Sequence, residues 1–149
     1  MDKIEVRLDF SAFPDRFTCS GEDISPRLMI KGAKGLSTAI ILDDPDAPMG
    51  TYTHWVIWNL PIMESIPENI PKAYKLEDPL KAVQGRNTSG ELGYMGPCPP
   101  RGKPHRYYFK VYVLDKMIGL APGASKKELE KAMETHILQY GEAMATYGR

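Results

Sequence analysis

Thirteen prolines and thirteen glycines interrupt this chain every few residues. Few uninterrupted stretches are long enough for a packed helix, whereas a strand needs only about five or six residues. The spacing therefore predicts many short strands joined by turns, rather than repeated strand–helix–strand units. With 149 residues the chain has the usual size of one domain. It shows no internal repeat, heptad pattern or low-complexity linker, so residues 1–149 are read as a single domain.

Ile4, Val6 and Leu8 alternate with charged neighbours, the pattern of a strand with one buried face. Phe17-Thr18 and Leu28-Met29-Ile30 read as short strands. Ser37 to Leu42 reads as a buried strand that stops where Pro45 bars further pairing. His54 to Leu60 is a strong strand closed by Pro61. Residues 66 to 79 hold too many prolines for a regular element and read as a long loop, after which Ala82-Val83 pair briefly. Arg106 to Leu114 is expected to be the longest strand and a central one, because both of its faces are largely apolar or aromatic.

One helix is well marked. Ser125 and Glu128 form a capping box, and Leu129, Ala132, Met133, Ile137 and Tyr140 recur at helical spacing, with Gly141 as the stop. Lys126 and Lys127 sit unfavourably in its first turn with respect to the helix dipole. The tail from Ala143 to Tyr147 fits a short strand and a last helical turn equally well. Together these pieces predict a mostly antiparallel sandwich with one peripheral helix.

Lys plus Arg equals Asp plus Glu, 19 each, and no dense basic cluster is present, which argues against a nucleic-acid partner. No run of apolar residues is long enough for a transmembrane segment. The charged start, Asp2-Lys3-Ile4-Glu5, is unlike a secretory leader, so a cytoplasmic location is expected. Cys19 and Cys98 are able to form one bridge, but in a reducing compartment both are expected as free thiols. Asn87-Thr88-Ser89 fits a glycosylation acceptor and is read as marking only an exposed turn.

Two polar constellations flank the strong strands. Asp43-Asp44-Pro45-Asp46-Ala47-Pro48 precedes His54, and the turn-rich stretch from Gly90 to Pro100 precedes His105-Arg106-Tyr107. Taken alone, the aspartates make an ordinary capped turn, the histidines satisfied edge residues, and Arg106 a surface residue or an aspartate-paired strut. Met29, Met95 and Met133 read as core filler. If the two segments meet, His54 and His105 present imidazole donors to one cleft and Tyr107 adds a hydroxyl. The rigid turn from Gly96 to Pro100 then aims a free amide at the same point, an arrangement suited to a phosphate oxygen. An aspartate beside the rings would fix their tautomers and keep them partly cationic. Zinc on His54, His105, Cys98 and Asp44 or Asp46 fits no standard spacing. Cys98 as a nucleophile lacks a helix N-terminus to lower its pKa. Gly90-x-x-Gly93-x-x-Gly96 runs into a strand rather than a helix, unlike a dinucleotide loop.

Larger motifs carry a resemblance. Asp44-Pro45-Asp46-Ala47-Pro48 with His54-Trp55 and Asn59-Leu60-Pro61 resembles the first signature of the phosphatidylethanolamine-binding protein family. Gly85-Arg86-Asn87, Gly93-Tyr94-x-Gly96-Pro97-Cys98-Pro99-Pro100 and His105-Arg106-Tyr107-x-Phe109 resemble the second. Phe17-Thr18-Cys19-x-Gly21-x-Asp23-Ile24-Ser25-Pro26 is similar to the opening of the bacterial and archaeal branch, often called kinase-inhibitor-like. The resemblance implies a two-sheet antiparallel β-sandwich with a short C-terminal helix. It implies an anion pocket around Asp44, His54, Pro100, His105 and Tyr107, with Asp46, Pro48 and Tyr52 nearby; Gly96 is added from the local reading. The implied function is noncatalytic binding of a small phosphorylated or other anionic ligand, with no cofactor and no metal. Two alternatives are an inhibitor or scaffold acting on a kinase or protease, and a weak phosphoester hydrolase. Apolar strand edges permit a homodimer.

Overall fold

A computed structural model describes residues 2–149. In chain order the elements are β1 (Asp2–Lys3), β2 (Glu5–Arg7), a 3-10 turn (Asp15–Phe17), β3 (Leu28–Lys31), β4 (Ser37–Asp44) and β5 (Tyr52–Leu60). After these come β6 (Ser65–Ile66), β7 (Lys75–Leu76), β8 (Ala82–Gln84), β9 (His105–Leu114), α1 (Lys126–Met133) and β10 (Ile137–Tyr147). They form a seven-stranded sheet, β1-β10-β9-β4-β5-β8-β7, and a three-stranded sheet, β2-β3-β6. Every named pair is antiparallel except β1 with β10.

Alternation along β4 divides the interior in two. Ile40 and Leu42 face the small sheet and join Leu28, Ile30, Phe109 and Val111 in the larger core. Ala39 and Ile41 face the other way, against Trp58, Leu129 and Met133 beneath α1. The same period of two puts Asp43 on the helix side and Asp44 on the side between the sheets. Asp43 is 1% exposed. Its carboxylate accepts from Lys126 Nζ at 2.7 Å, Lys110 Nζ at 3.1 Å and the Thr53 hydroxyl at 2.8 Å. This pairing explains why α1 tolerates a lysine in its first turn: Lys126 ties the helix to the sheet.

Several sequence expectations are corrected. Phe17 closes a 3-10 turn rather than a strand, and its ring inserts into the larger core. The proline-rich stretch after Ile66 still contributes β7, paired with β8. β9 is central, but β10 with 11 residues is the longer strand. The outer face of β9 is only half covered, at Tyr108, Lys110 and Tyr112. The capping box at Ser125 forms as expected, yet α1 ends at Met133. Ile137 and Tyr140 match the helical period by coincidence. They belong to β10, whose inward positions Gly141, Ala143 and Ala145 are small at a period of two, and which pairs with β9 along its length.

Gly141 is therefore no helix stop. The chain between β1 and β2 crosses it so closely that a Cβ there would lie 2.4 Å from the Ile4 carbonyl oxygen. We expect Gly141→Ala to lower stability by about 1–3 kcal/mol through overpacking. Urea unfolding of the variant reads this directly, and an unchanged midpoint would contradict the crossing.

Candidate functional site

The register of β4 against β5 slips between Leu42 and Asp43: Leu42 lies opposite Trp55, but Asp43 lies opposite Thr53. His54 is the additional residue of this bulge. In an unbroken strand it would share the face of Val56 and Trp58, beneath α1. The bulge turns it instead toward the sandwich side, as bulges beside functional sites do. Its ring centroid lies 4.7 Å from that of Tyr52 and 5.4 Å from that of Tyr107. His105 opens β9, two residues before Tyr107 on the same face, with its ring centroid 6.4 Å from the tyrosine's. Tyr107 thus stands between the two imidazoles.

The residues enclose a hollow of about 240 Å³. Asp44 and Pro48 line it from the end of β4 and the following turn. Tyr52 and His54 come from β5, and His105 and Tyr107 from β9. Met95, Cys98, Pro99 and Pro100 make the remaining wall. Asp44 Oδ2 accepts from His105 Nδ1 at 2.7 Å, while its Oδ1 accepts from the amide of Asp46 at 2.8 Å. Asp44 is thereby held at 4% side-chain exposure.

Two of the expected site residues lie outside the hollow. Asp46 turns away and receives the Arg106 amide at 2.9 Å and a two-pronged contact from its guanidinium at 2.9 and 2.8 Å. Arg106 is a strut, and its hydrogen bonds hold the Asp46 carboxyl down at about 2. The Gly96 amide donates to Asp23 Oδ1 at 2.8 Å, so it is not a free donor for a ligand. His54 also differs from expectation. Burial pushes its pKa down, against the opposing pull of its Met95 hydrogen bond and of Asp44, and favours the neutral ring. Burial likewise raises the Tyr107 hydroxyl, reinforced by the nearby Asp44.

The wall rests on the N-terminal segment. Tyr94 donates its hydroxyl to the Phe17 carbonyl at 2.6 Å, and the Cys19 amide donates to the Pro97 carbonyl at 3.2 Å. Gly96 packs so tightly that a Cβ would lie 2.1 Å from the Phe17 oxygen. Cys19 and Cys98, with Cα atoms 5.4 Å apart, are joined in a disulfide, contrary to the free thiols expected from compartment alone. The Cys98 sulfur is therefore available neither as a zinc ligand nor as a nucleophile. Met95 is no mere filler either: its carbonyl meets His54 Nδ1 at 2.8 Å, and its sulfur accepts from the Tyr52 hydroxyl at 3.3 Å. Asn87-Thr88-Ser89 does lie at an exposed turn, with Thr88 to Gly90 in solvent, and Asn87 itself is buried and braces that turn, its side-chain oxygen accepting from the amides of Ser89 and Glu91.

The sequence profile described as phosphatidylethanolamine-binding protein matches residues 5–148. The UPF0098 protein of Pyrococcus abyssi is 55% identical over 139 residues, which cover 91% of this chain and 78% of the relative. A crystal structure of a phosphatidylethanolamine-binding protein homologue from Chlamydia trachomatis superposes with a TM-score of 0.88 at 34% identity, covering 100% of this chain and 99% of that one. Escherichia coli YbcL, described as a member of the mammalian family, superposes with a TM-score of 0.87 at 28% identity and 99% coverage of both chains. This chain belongs to the phosphatidylethanolamine-binding protein family. Its members are typically non-catalytic and are generally associated with the binding of anions and other ligands.

The brace and the strut are each open to measurement. The disulfide closes a loop of 79 residues. Removing that constraint on the unfolded chain, by dithiothreitol or by Cys19→Ser with Cys98→Ser, is expected to cost about 3–5 kcal/mol. A melting temperature insensitive to both treatments would contradict it. For Asp46 the folded pKa is depressed, so its contribution is present above its unfolded value of 3.8 and is lost as pH falls through about 2. The gap in urea midpoint between wild type and Asp46→Asn should be full near neutral pH and shrink over that acid window. A gap that stays constant to low pH rules the strut out.

Proposed function

We propose that this chain is a receptor for a small phosphate-bearing or similarly anionic molecule, held between His54 and His105 without being transformed. The observation that carries this reading is the convergence of two imidazoles, from strands far apart in sequence, on one open hollow with Tyr107 between them. Asp44 orients one ring and the Met95 carbonyl the other, so both are pre-set before a ligand arrives. Pre-orientation of this kind lowers the entropy lost on binding.

Size narrows the ligand. A volume of about 240 Å³ lies below that of most pockets for drug-sized molecules. It suits a phosphate or a compact head group better than an acyl chain. The family's typically non-catalytic character supports binding rather than turnover.

Titration with inorganic phosphate and phosphoethanolamine, monitored through the ring signals of the histidines in NMR spectra, tests the proposal. His54 and His105 are expected to shift and saturate together while His136, paired with Asp115 elsewhere, stays still. His54→Ala combined with His105→Ala should weaken phosphate binding by on the order of tenfold or more, the loss of about 1.4 kcal/mol or more of polar contact. Saturable shifts confined to other residues would remove the proposal.

A further inference from the structure

The wall of the hollow has two halves that are fastened differently. In the first, the Tyr94 hydroxyl donates to the Phe17 carbonyl, the Met95 amide to the His54 carbonyl and the Gly96 amide to Asp23. In the second, Pro97, Pro99 and Pro100 carry no amide hydrogen. The Cys98 amide is the one main-chain donor of that half, and it has no partner among the described residues. Because Cys98 lines the hollow, this amide is left for an oxygen bound there.

Three ties hold the Pro97–Pro100 stretch to the body of the protein. The Arg149 guanidinium donates to the Pro99 carbonyl at 2.8 Å, and the Cys19 amide donates to the Pro97 carbonyl at 3.2 Å. The third is the Cys19–Cys98 bond itself. Two of the three thus come from Cys19. Both cysteines are exposed, so a reductant reaches the bond without any unfolding. Exposed disulfides are the class that exchanges readily with thiols, unlike those sealed in a core.

We propose that the Cys19–Cys98 disulfide is a redox switch on the hollow: the oxidised protein holds its anion, and reduction by a dithiol frees the Pro97–Pro100 wall and lowers the affinity. A thiolate of the dithiol attacks one cystine sulfur, the S–S bond breaks, and a mixed disulfide forms. The departing cysteine takes up a proton. The second thiol of the reductant then attacks the mixed disulfide, closes its own S–S bond and releases the other cysteine. Two electrons pass from the dithiol to the cystine, and two hydrogens end on Cys19 and Cys98. This rests on the anion-receptor reading and adds control of that same site.

The effect is local because the rest of the site stands on other supports. Asp44, His54 and His105 belong to β4, β5 and β9, which pair with one another and contain neither cysteine. Reduction therefore leaves the imidazoles in place and loosens the side that carries the Cys98 amide. The ordering of that side is then charged to each binding event. Such coupling is reciprocal: an anion favouring the oxidised form makes the disulfide harder to reduce by the same factor.

Calorimetric titration of the full chain with inorganic phosphate, oxidised and after treatment with dithiothreitol, tests the switch. Reduction is expected to weaken binding by on the order of tenfold, the worth of one fixed donor to a charged oxygen. A tenfold preference lowers the reduction potential of the bond by about 30 mV at saturating phosphate, a shift read in redox buffers on the unmodified protein. On reduction, amide signals in NMR spectra should move near Cys19 and from Tyr94 to Gly102, while those of β4, β5 and β9 stay. Cys19→Ser with Cys98→Ser should bind like the reduced protein and ignore dithiothreitol. Equal affinities in both states, with a potential unmoved by phosphate, overturn the switch and leave the receptor standing. Loss of the whole folded spectrum on reduction overturns it too, because release is then not confined to the wall. Absence of phosphate binding to the oxidised protein removes the receptor reading and the switch with it.

Discussion

One bulged residue sets the geometry of the site. Because β5 carries an additional residue opposite the Leu42–Asp43 step, His54 leaves the face it would share with Val56 and Trp58 and joins Tyr52, Asp44 and Tyr107. A strictly regular ladder would bury the imidazole beneath α1 and leave His105 alone at the edge of the sandwich. The carbonyl of Met95 and the amide of the same residue then bond to His54, at its ring and its main chain, so the bulge is held from the wall side too.

The wall has little regular structure and draws its rigidity from elsewhere. Proline supplies part of it by fixing φ. The remainder comes from a distant N-terminal segment, through Phe17, Cys19 and Asp23, whose bonds to Tyr94, Pro97, Cys98 and Gly96 make a second layer behind the hollow. Asp23 takes a left-handed backbone conformation, φ 58°, to aim its carboxylate at Gly96. The motif running from Phe17 to Pro26 thus acts as a support for the site without lining it.

Local pattern makes much of this fold legible. β4, β5 and β9 announce themselves by β-branched and aromatic runs between prolines, and α1 by its capping box, because each signal is contained within a few residues. The two histidine segments are legible as motifs for the same reason. The features that escape a sequence reading depend on contacts between distant residues. Ile137 and Tyr140 satisfy a helical period and a strand period alike, and pairing with β9 decides between them. The Cys19–Cys98 bond is missed because compartment argues for free thiols, while the closeness of the two residues exists only in the folded chain. Asp46 and Gly96 sit within the right motifs, but their polar groups are consumed by Arg106 and Asp23, partners that no local reading assigns.

Asp43 and Asp44 are neighbours in the chain with opposite destinations, the first among Thr53, Lys110 and Lys126 and the second against His105. Sliding β4 by a single residue would exchange them, stranding two ammonium groups on one side and emptying the imidazole's acceptor on the other. Such a double mismatch penalises every misaligned pairing of the central strands at once. The acidic doublet therefore serves as an alignment key for the whole sheet, and the cleft inherits its accuracy from a lock whose other half is fastened on the far side of the molecule.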